Sequence, residues 1–290
     1  MGQILLQIIK GFSYLPKSFF KVLSNFLAFI LNHIIRYRGD VILRNLKRSF
    51  PNKSKQEIKV IKEGFYLNLA DVFTEIIYTL SLPKEKVMKK FRVFNDKVID
   101  NLYQDHNNII VVASHNCNWE IGLSVLPLFV EHNVYVIYKP LKNKTSEFII
   151  NSIRQRFGVK LITKKESAKF ILSNKDQKKL IVFISDQTPY PENAIWTEFL
   201  NQQTPIFRGA EVMAKKLNSP VVFAYNRRQK RGKYELGFEL LTENPKALAP
   251  EEITNLHVKY LEQEIIKAPS NWLWSHKRWK HKPPQKELVN

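Results

Sequence analysis

From about residue 91 onward, short apolar runs alternate with amphipathic stretches. This alternation restricts the chain to few architectures. The runs are NIIVVA (108–113), VYVIY (134–138), VKLI (159–162), KLIVFI (179–184) and PVVFAY (220–225). Each has the length of a strand, and none alternates polar with apolar as a half-exposed strand does. Between them lie WEIGLSVLPLFV (119–130), KTSEFIINSIRQRF (144–157) and GAEVMAKKL (209–217), which follow a helical period. Buried strands separated by helices imply βαβ units and hence an α/β fold, with a largely parallel sheet flanked by helices. KYELGFELL (233–241) does alternate and reads as a strand added to that sheet. PEEITNLHVKYLEQEII (250–266) reads as a closing amphipathic helix.

The first 90 residues follow a different pattern. SKQE (54–57) is a capping box, with Ser54 as N-cap and Glu57 at the third helical position. It opens a long helix through residue 80, and Pro83 sits at the first turn of the next. Earlier still, ILLQII (4–9) and VLSNFLAFILNHII (22–35) are strongly apolar. The stretch from Val22 to Ile35, free of charged residues, is shorter than the ~20 residues a spanning helix needs. Lys17, Lys21, Arg36 and Arg38 flank it and can snorkel toward phosphates. No small-x-small cleavage pattern follows, so the segment reads as an anchor kept on the chain, either crossing the membrane or lying on it. An ordinary core helix is the alternative. The expected organisation is a helical membrane-anchoring segment, 1–38, followed by an α/β domain, 39–290, whose residues 39–90 form a helical lead-in.

Charge narrows the partners. The chain carries 46 Lys and Arg against 26 Asp and Glu, a formal net charge of +20. Such a surplus points to nucleic acid, anionic lipid or an acidic protein. One cysteine, Cys117, excludes an internal disulfide and a cysteine-based zinc site. The glycines never occur as Gly-x-Gly, which excludes the usual dinucleotide fingerprint. Gly232 and Gly237 have phosphate-loop spacing, but Phe238 stands where lysine is required. No Gly-x-Ser-x-Gly elbow is present.

The segment SHNCNWE (114–120) follows the run NIIVVA directly, so His115 stands just past a strand's carboxyl end. Ligands of parallel α/β sheets bind there. Glu120, in the first turn of the next helix, is expected to accept a hydrogen bond from one imidazole nitrogen. The other nitrogen would then be free to take a proton from a hydroxyl, as in a general-base dyad. As a bare pattern, His-x4-acid is weak: seven histidines and 26 acidic residues in 290 make one accidental match unsurprising. His257 and Glu262 are such a match. They lie within one helix, about 140° apart around its axis, and cannot pair readily; His257 reads as a surface or interface residue. Cys117 invites a Cys–His nucleophile reading, against the commoner small buried cysteine.

On these residues the chain resembles the lipid A biosynthesis acyltransferases, relatives of the glycerol-phosphate acyltransferases that share a His-x4-Asp/Glu motif. Seven blocks match in order: RYRGDVILRNLKRSFPN (36–52), SHNCNWE, VIYKPLKNK (136–144), IRQRFG (153–158), ISDQTP (184–189), FLNQQTPIFRGAEVMAKKLNSPVVFAY (199–225) and WLWSHKRWKHKP (272–283). Lys139 replaces the usual arginine of its block, and Leu200-Asn201 stand where Phe-Gly is common.

The resemblance implies His115 as general base, Glu120 as its orienting partner, and Arg156, with Arg154 as rival, at the developing oxyanion or an acceptor phosphate. It places Asn118, Trp119, Lys139, Asp186 and Gln187 along the substrate; positioning of the loop is the alternative for Asp186 and Gln187, and a solvated helix face is the alternative for Arg154 and Arg156. No cofactor is implied. The acyl group arrives as a thioester of acyl carrier protein or coenzyme A, and an acidic carrier protein suits a basic enzyme. The acceptor is a hydroxyl of a lipid A precursor or similar glycolipid on an anionic surface, with the enzyme on the cytoplasmic face of a bacterial inner membrane. SHKRWKHKPPQK (275–286) reads as an interfacial basic patch. Two further readings stay open: the same fold acting on an amino-lipid or other lipid acceptor, and a non-enzymatic basic module. Nucleic acid is not expected.

Overall fold

In the computed structural model, residues 2–174 and 176–283 are described. Helices α1 (Gly2–Phe12), α2 (Lys17–Phe29), α3 (Gly39–Ser49), α4 (Lys55–Thr79) and α5 (Lys84–Met88) precede the sheet. The alternating region folds as β1 (Phe91–Phe94), α6 (Lys97–Asp105), β2 (Asn108–Ala113), α7 (Trp119–Val125), β3 (Asn133–Tyr138), α8 (Lys144–Arg154), β4 (Lys160–Thr163), α9 (Lys164–Ser173) and β5 (Lys179–Ile184). A hairpin, β6 (Ala194–Phe199) and β7 (Gln202–Phe207), follows, then α10 (Gly209–Leu217), β8 (Val221–Lys230), β9 (Lys233–Thr242) and α11 (Glu252–Lys267).

Among the described residues the main sheet has the order β1-β9-β8-β2-β5-β3-β4. All neighbours run parallel except β8 and β9, so KYELGFELL is the added antiparallel strand the alternation predicts. Both faces of the central strands are covered. Ile110, Val112, Ile181 and Phe223 point into one apolar cluster, shared with α4, α10 and α11. Ile109, Val111, Leu180, Val182 and Val222 point into the other, shared with α6 and α7. The unbroken apolar runs are the sequence form of a sheet buried on two sides.

Helices α6 and α9, the strand β1 and the β6–β7 hairpin have no counterpart in the sequence reading. The edge strand β1 is four residues long, too short to announce itself by period. The β6–β7 hairpin turns on Leu200 and Asn201, at φ 51° and 61°. Left-handed backbone at both central positions is the requirement of a tight hairpin turn, which glycine and asparagine meet most easily. Here Leu200 is 1 % exposed, and its burial holds the strained conformation that glycine would adopt freely.

At the N-terminus the capping box is present as expected: Ser54 Oγ accepts from the Glu57 amide and Glu57 accepts from the Ser54 amide. The anchor segment is more broken than its apolar run suggests. No single helix among the described residues is long and apolar enough to cross a membrane. α2 continues through a π-turn, Ile30–Ile34, and the chain then bends by 89° into α3. Ser24 on the inner face of α2 donates to buried Asp71 of α4, and Phe20 packs on Tyr78 at 5.2 Å. Ile4, Ile8, Phe12, Val22, Phe26 and Phe29 face outward and are exposed. His257 is not a surface residue. It is buried on α11 against the ring of Phe223, and desolvation lowers its pKa to about 4.

Candidate active site

β2 and β5 are hydrogen-bonded neighbours, with Ala113 opposite Ile184. The residues that follow each strand therefore emerge side by side at the carboxyl edge of the sheet. From β2 comes His115, and from β5 come Asp186 and Gln187. His115 Nδ1 lies 2.7 Å from Asp186 Oδ1, and the His115 backbone amide donates to Asp186 Oδ2 at 2.8 Å. A third donor reaches the same carboxylate, the indole of Trp272, 2.8 Å from Oδ2.

Burial alone would raise the Asp186 pKa. The neighbouring His115 and these three donors outweigh it and hold the carboxyl well below the usual range. An ionised carboxylate only accepts, so Nδ1 of His115 carries a proton and Nε2 is the basic nitrogen. Gln187 Nε2 lies 3.3 Å from that nitrogen. The edge of Trp119 meets the His115 ring at a centroid distance of 5.3 Å.

This corrects the expected dyad. Glu120 does not meet His115. Asn118 caps α7, its Oδ1 accepting from the Ile121 amide and its Nδ2 donating to Glu75. The first turn of α7 then presents Glu120 toward the end of α8. There it takes two hydrogen bonds from Arg154, at 2.7 and 2.6 Å, and one from the Trp119 indole. Desolvation works against the charged guanidinium, but the pairing with Glu120 wins and raises the Arg154 pKa.

Arg156 is elsewhere. Its guanidinium donates to the carbonyls of Thr79 and Leu82 at the carboxyl end of α4 and rests on Phe157. It adds a second donor to the Thr79 carbonyl, which also accepts from the Leu82 amide, so its guanidinium is engaged at the end of α4 and not with His115 or Glu120. Lys139 is exposed beyond the end of β3, in the neighbourhood of Lys164. Asn118 is fully buried and shapes the turn.

Cys117 sits at φ 51° in the loop after β2. It is buried, and desolvation pushes its thiol up to about 12. Such a thiol is neither ionised nor reachable, which removes the Cys–His reading.

The sequence reading missed the part played by the segment after α11. The Cys117 amide donates to the Asn271 carbonyl, and Asn116 forms an isolated bridge with Trp272. Trp272 packs edge-on against Trp274 and lies beside Trp279. His276 Nε2 accepts from the Thr188 amide at 3.1 Å, two residues beyond Asp186. Arg278, fully buried, donates to the Pro205 carbonyl. The signal was in view, in the tryptophans of WLWSHKRWKHKP, but nothing local says which loop they cover. Residues 284–286 of the expected basic patch lie outside the described residues.

Beside the pair, Ala113, Ser114, Trp119, Gly122, Leu126 and Phe238 help line a small, open apolar pocket. It opens one residue before His115. The site thus combines a hydrogen-bonded His–Asp pair, an Arg–Glu pair and an apolar recess.

A family model for bacterial lipid A biosynthesis acyltransferase matches residues 2–281. A lipid A biosynthesis acyltransferase of Haemophilus influenzae is 22 % identical over 232 residues, covering 79 % of this chain and 72 % of the relative. The lipid A biosynthesis lauroyltransferase of Escherichia coli is 20 % identical over 254 residues, covering 86 % and 81 %. The palmitoleoyltransferase of the same pathway and organism is 22 % identical over 252 residues, with the same coverage, 86 % and 81 %. With the match running across both the helical lead-in and the His115 site, the chain belongs to the bacterial lipid A biosynthesis acyltransferase family.

Proposed function

We propose that this acyltransferase moves a fatty acyl chain from an acyl thioester to a hydroxyl of a lipid A precursor, with His115 as general base and Asp186 as its orienting partner. The observation that carries the reading is the His115–Asp186 hydrogen bond beside an apolar recess at the carboxyl edge of the sheet.

The acceptor hydroxyl comes to Nε2 of His115, where the Gln187 amide now stands. As its oxygen attacks the thioester carbonyl, its proton passes to Nε2, and Asp186 stabilises the resulting imidazolium. When the tetrahedral intermediate collapses, the C–S bond breaks and the imidazolium returns the proton to the departing thiolate. The acyl group moves directly, and Cys117 takes no covalent part. Arg154, always charged and fixed by Glu120, suits the developing oxyanion or an acceptor phosphate. The recess lined by Trp119 and Leu126 suits the acyl chain.

Acyl carrier protein fits as donor, since a basic surface steers an acidic carrier. The outward apolar residues of α1 and α2 fit the interface of the inner membrane, at its cytoplasmic face, with the helices lying on the surface. Mass spectrometry of membrane lipids from cells expressing wild type or His115→Ala at equal levels tests the whole. A species heavier by one acyl group with wild type alone supports it; the same product from the variant sinks the base assignment.

A further inference from the structure

A second cleft lies apart from the His115 site. It is a shallow cleft that opens between α2, α4 and the β8–β9 turn. Its walls include Lys17, Lys21, Lys90 and Arg231, with Phe20 and Tyr78 at its apolar side. Two carboxylates, Asp71 and Glu75, also line it. Asp71 is engaged on both oxygens, whereas Glu75 uses Oε2 and leaves Oε1 toward the cleft, 3.7 Å from where a side chain at Gly232 would begin. Asp71 accepts from Ser24, Arg228 and Arg231. Glu75 Oε2 accepts from Asn118 and Tyr234.

The lysines are left crowded. Lys90 Nζ sits over the Tyr78 ring at 4.8 Å and is half-buried. Among the described residues neither Lys17 nor Lys90 has a carboxylate within 4.0 Å, so neither forms an ion pair. Burial lowers the Lys90 pKa; Glu75 opposes it more strongly than Lys17 or Lys233 adds to it, so one carboxylate faces several cations here. Gly232, at φ 76°, makes the turn that brings the hairpin against Lys17; a side chain there would start 3.5 Å from Lys17 Nζ. Packing cations around an open cleft is unfavourable unless an anion shares it.

The location points to the kind of anion. Phe19, Val22, Phe26 and Phe29 project outward from the same helix that supplies Lys17 and Lys21. A helix lying with that face in the acyl region holds its lysines at headgroup depth. β8 runs parallel to β2, so its far end lies on the His115 side of the sheet, past the Val112–Phe223 pairing by roughly 20 Å at strand rise.

We propose that this cleft is a second anion site, one that takes the phosphate of a membrane lipid headgroup and fixes the depth and orientation of the enzyme on the bilayer. It lies outside the acyl-transfer machinery, and its test reads binding rather than turnover.

The experiment uses the full chain with phosphatidylcholine vesicles, with and without phosphatidic acid. Lysine acetylation followed by mass spectrometry gives protection at each position, and flotation gives affinity. Phosphatidic acid is expected to protect Lys17 and Lys90 selectively over the exposed Lys246 and Lys259. Phosphatidylcholine alone docks α1 and α2 without that selectivity. Lys17→Gln with Lys90→Gln is expected to weaken binding to the phosphatidic acid vesicles by roughly tenfold or more, and the charge-matched Lys246→Gln with Lys259→Gln by about threefold or less. Equal losses in both variants, with no selective protection of the wild type, would mean diffuse attraction and overturn the site. Full protection by inorganic phosphate in detergent, with no gain from vesicles, would overturn the lipid headgroup as its source.

Discussion

The Trp272 indole and the His115 backbone amide donate to the same oxygen of Asp186, each at 2.8 Å. The other oxygen is left to the His115 ring. Asp186→Asn breaks this arrangement, since an amide cannot offer acceptors to all three donors. Acyl transfer should fall by roughly 10²–10⁴. Trp272→Phe keeps the ring packing and removes one charge-assisted bond, so kcat should drop by about tenfold with KM little changed. Steady-state kinetics with a lipid A precursor and an acyl thioester would check both. An unchanged kcat in Asp186→Asn would remove Asp186 from the mechanism.

Glu120 is hydrogen-bonded to Arg154 and not to His115. Glu120→Gln and Arg154→Gln should each raise KM for the acceptor or lower kcat without altering the pH dependence set by His115. In a double-mutant cycle the two should be strongly non-additive, with a coupling on the order of 1–3 kcal/mol. Additive effects would show that the pair is not a functional unit.

Cys117 should be silent toward thiol reagents in the folded enzyme. Its burial and raised pKa predict no modification and no loss of activity on alkylation until denaturant exposes it. Rapid labelling of native protein with loss of transfer would contradict this.

Arg156→Met should lower stability and spare chemistry. It removes the donor of the Leu82 carbonyl and one of two donors to the Thr79 carbonyl, costing about 1–2 kcal/mol. The urea midpoint should shift while kcat of the folded fraction holds. A catalytic collapse with unchanged stability would restore Arg156 to the active site.

Stability should fall on mild acidification. His132, His257 and His276 are each lowered to about 4, in every case chiefly by burial. Their folded pKa values lie below the unfolded ~6.5, so the unfolded chain binds more protons between these limits. The stability they contribute is complete above about pH 6.5 and is lost as pH falls toward 4. Urea midpoints across that range should decline, and His257→Phe should flatten the decline. Midpoints that do not move would show that these histidines bind protons equally in the folded and unfolded chain.

The strand–helix alternation of residues 108–225 could be read directly because burial on both faces leaves an unbroken apolar run, and Ser54 with Glu57 marks a helix start by chemistry alone. The position of His115 followed from the strand before it. Its partner did not. Glu120 is near in sequence, but the cap at Asn118 turns it toward α8. Asp186 is near only because β2 and β5 are neighbours, and sheet order is not written in either strand. Trp272 was further out of reach, since its contact depends on how the chain returns after α11. Arg154 and Arg156 stand two residues apart, yet one pairs with Glu120 and the other with the end of α4. The short turn that separates their directions carries no sequence signal.

The Asp186–Trp272 contact spans 86 residues of chain. Synthesis proceeds from the amino terminus, so the ribosome has released α1 and α2 long before Trp272 exists. During that interval the outward apolar helices are already available to a bilayer, while the carboxylate behind His115 lacks its third donor. Order of translation therefore bears on order of maturation: the outward apolar helices can form first, and the Asp186 carboxylate can gain its third donor only when the last tryptophans fold back.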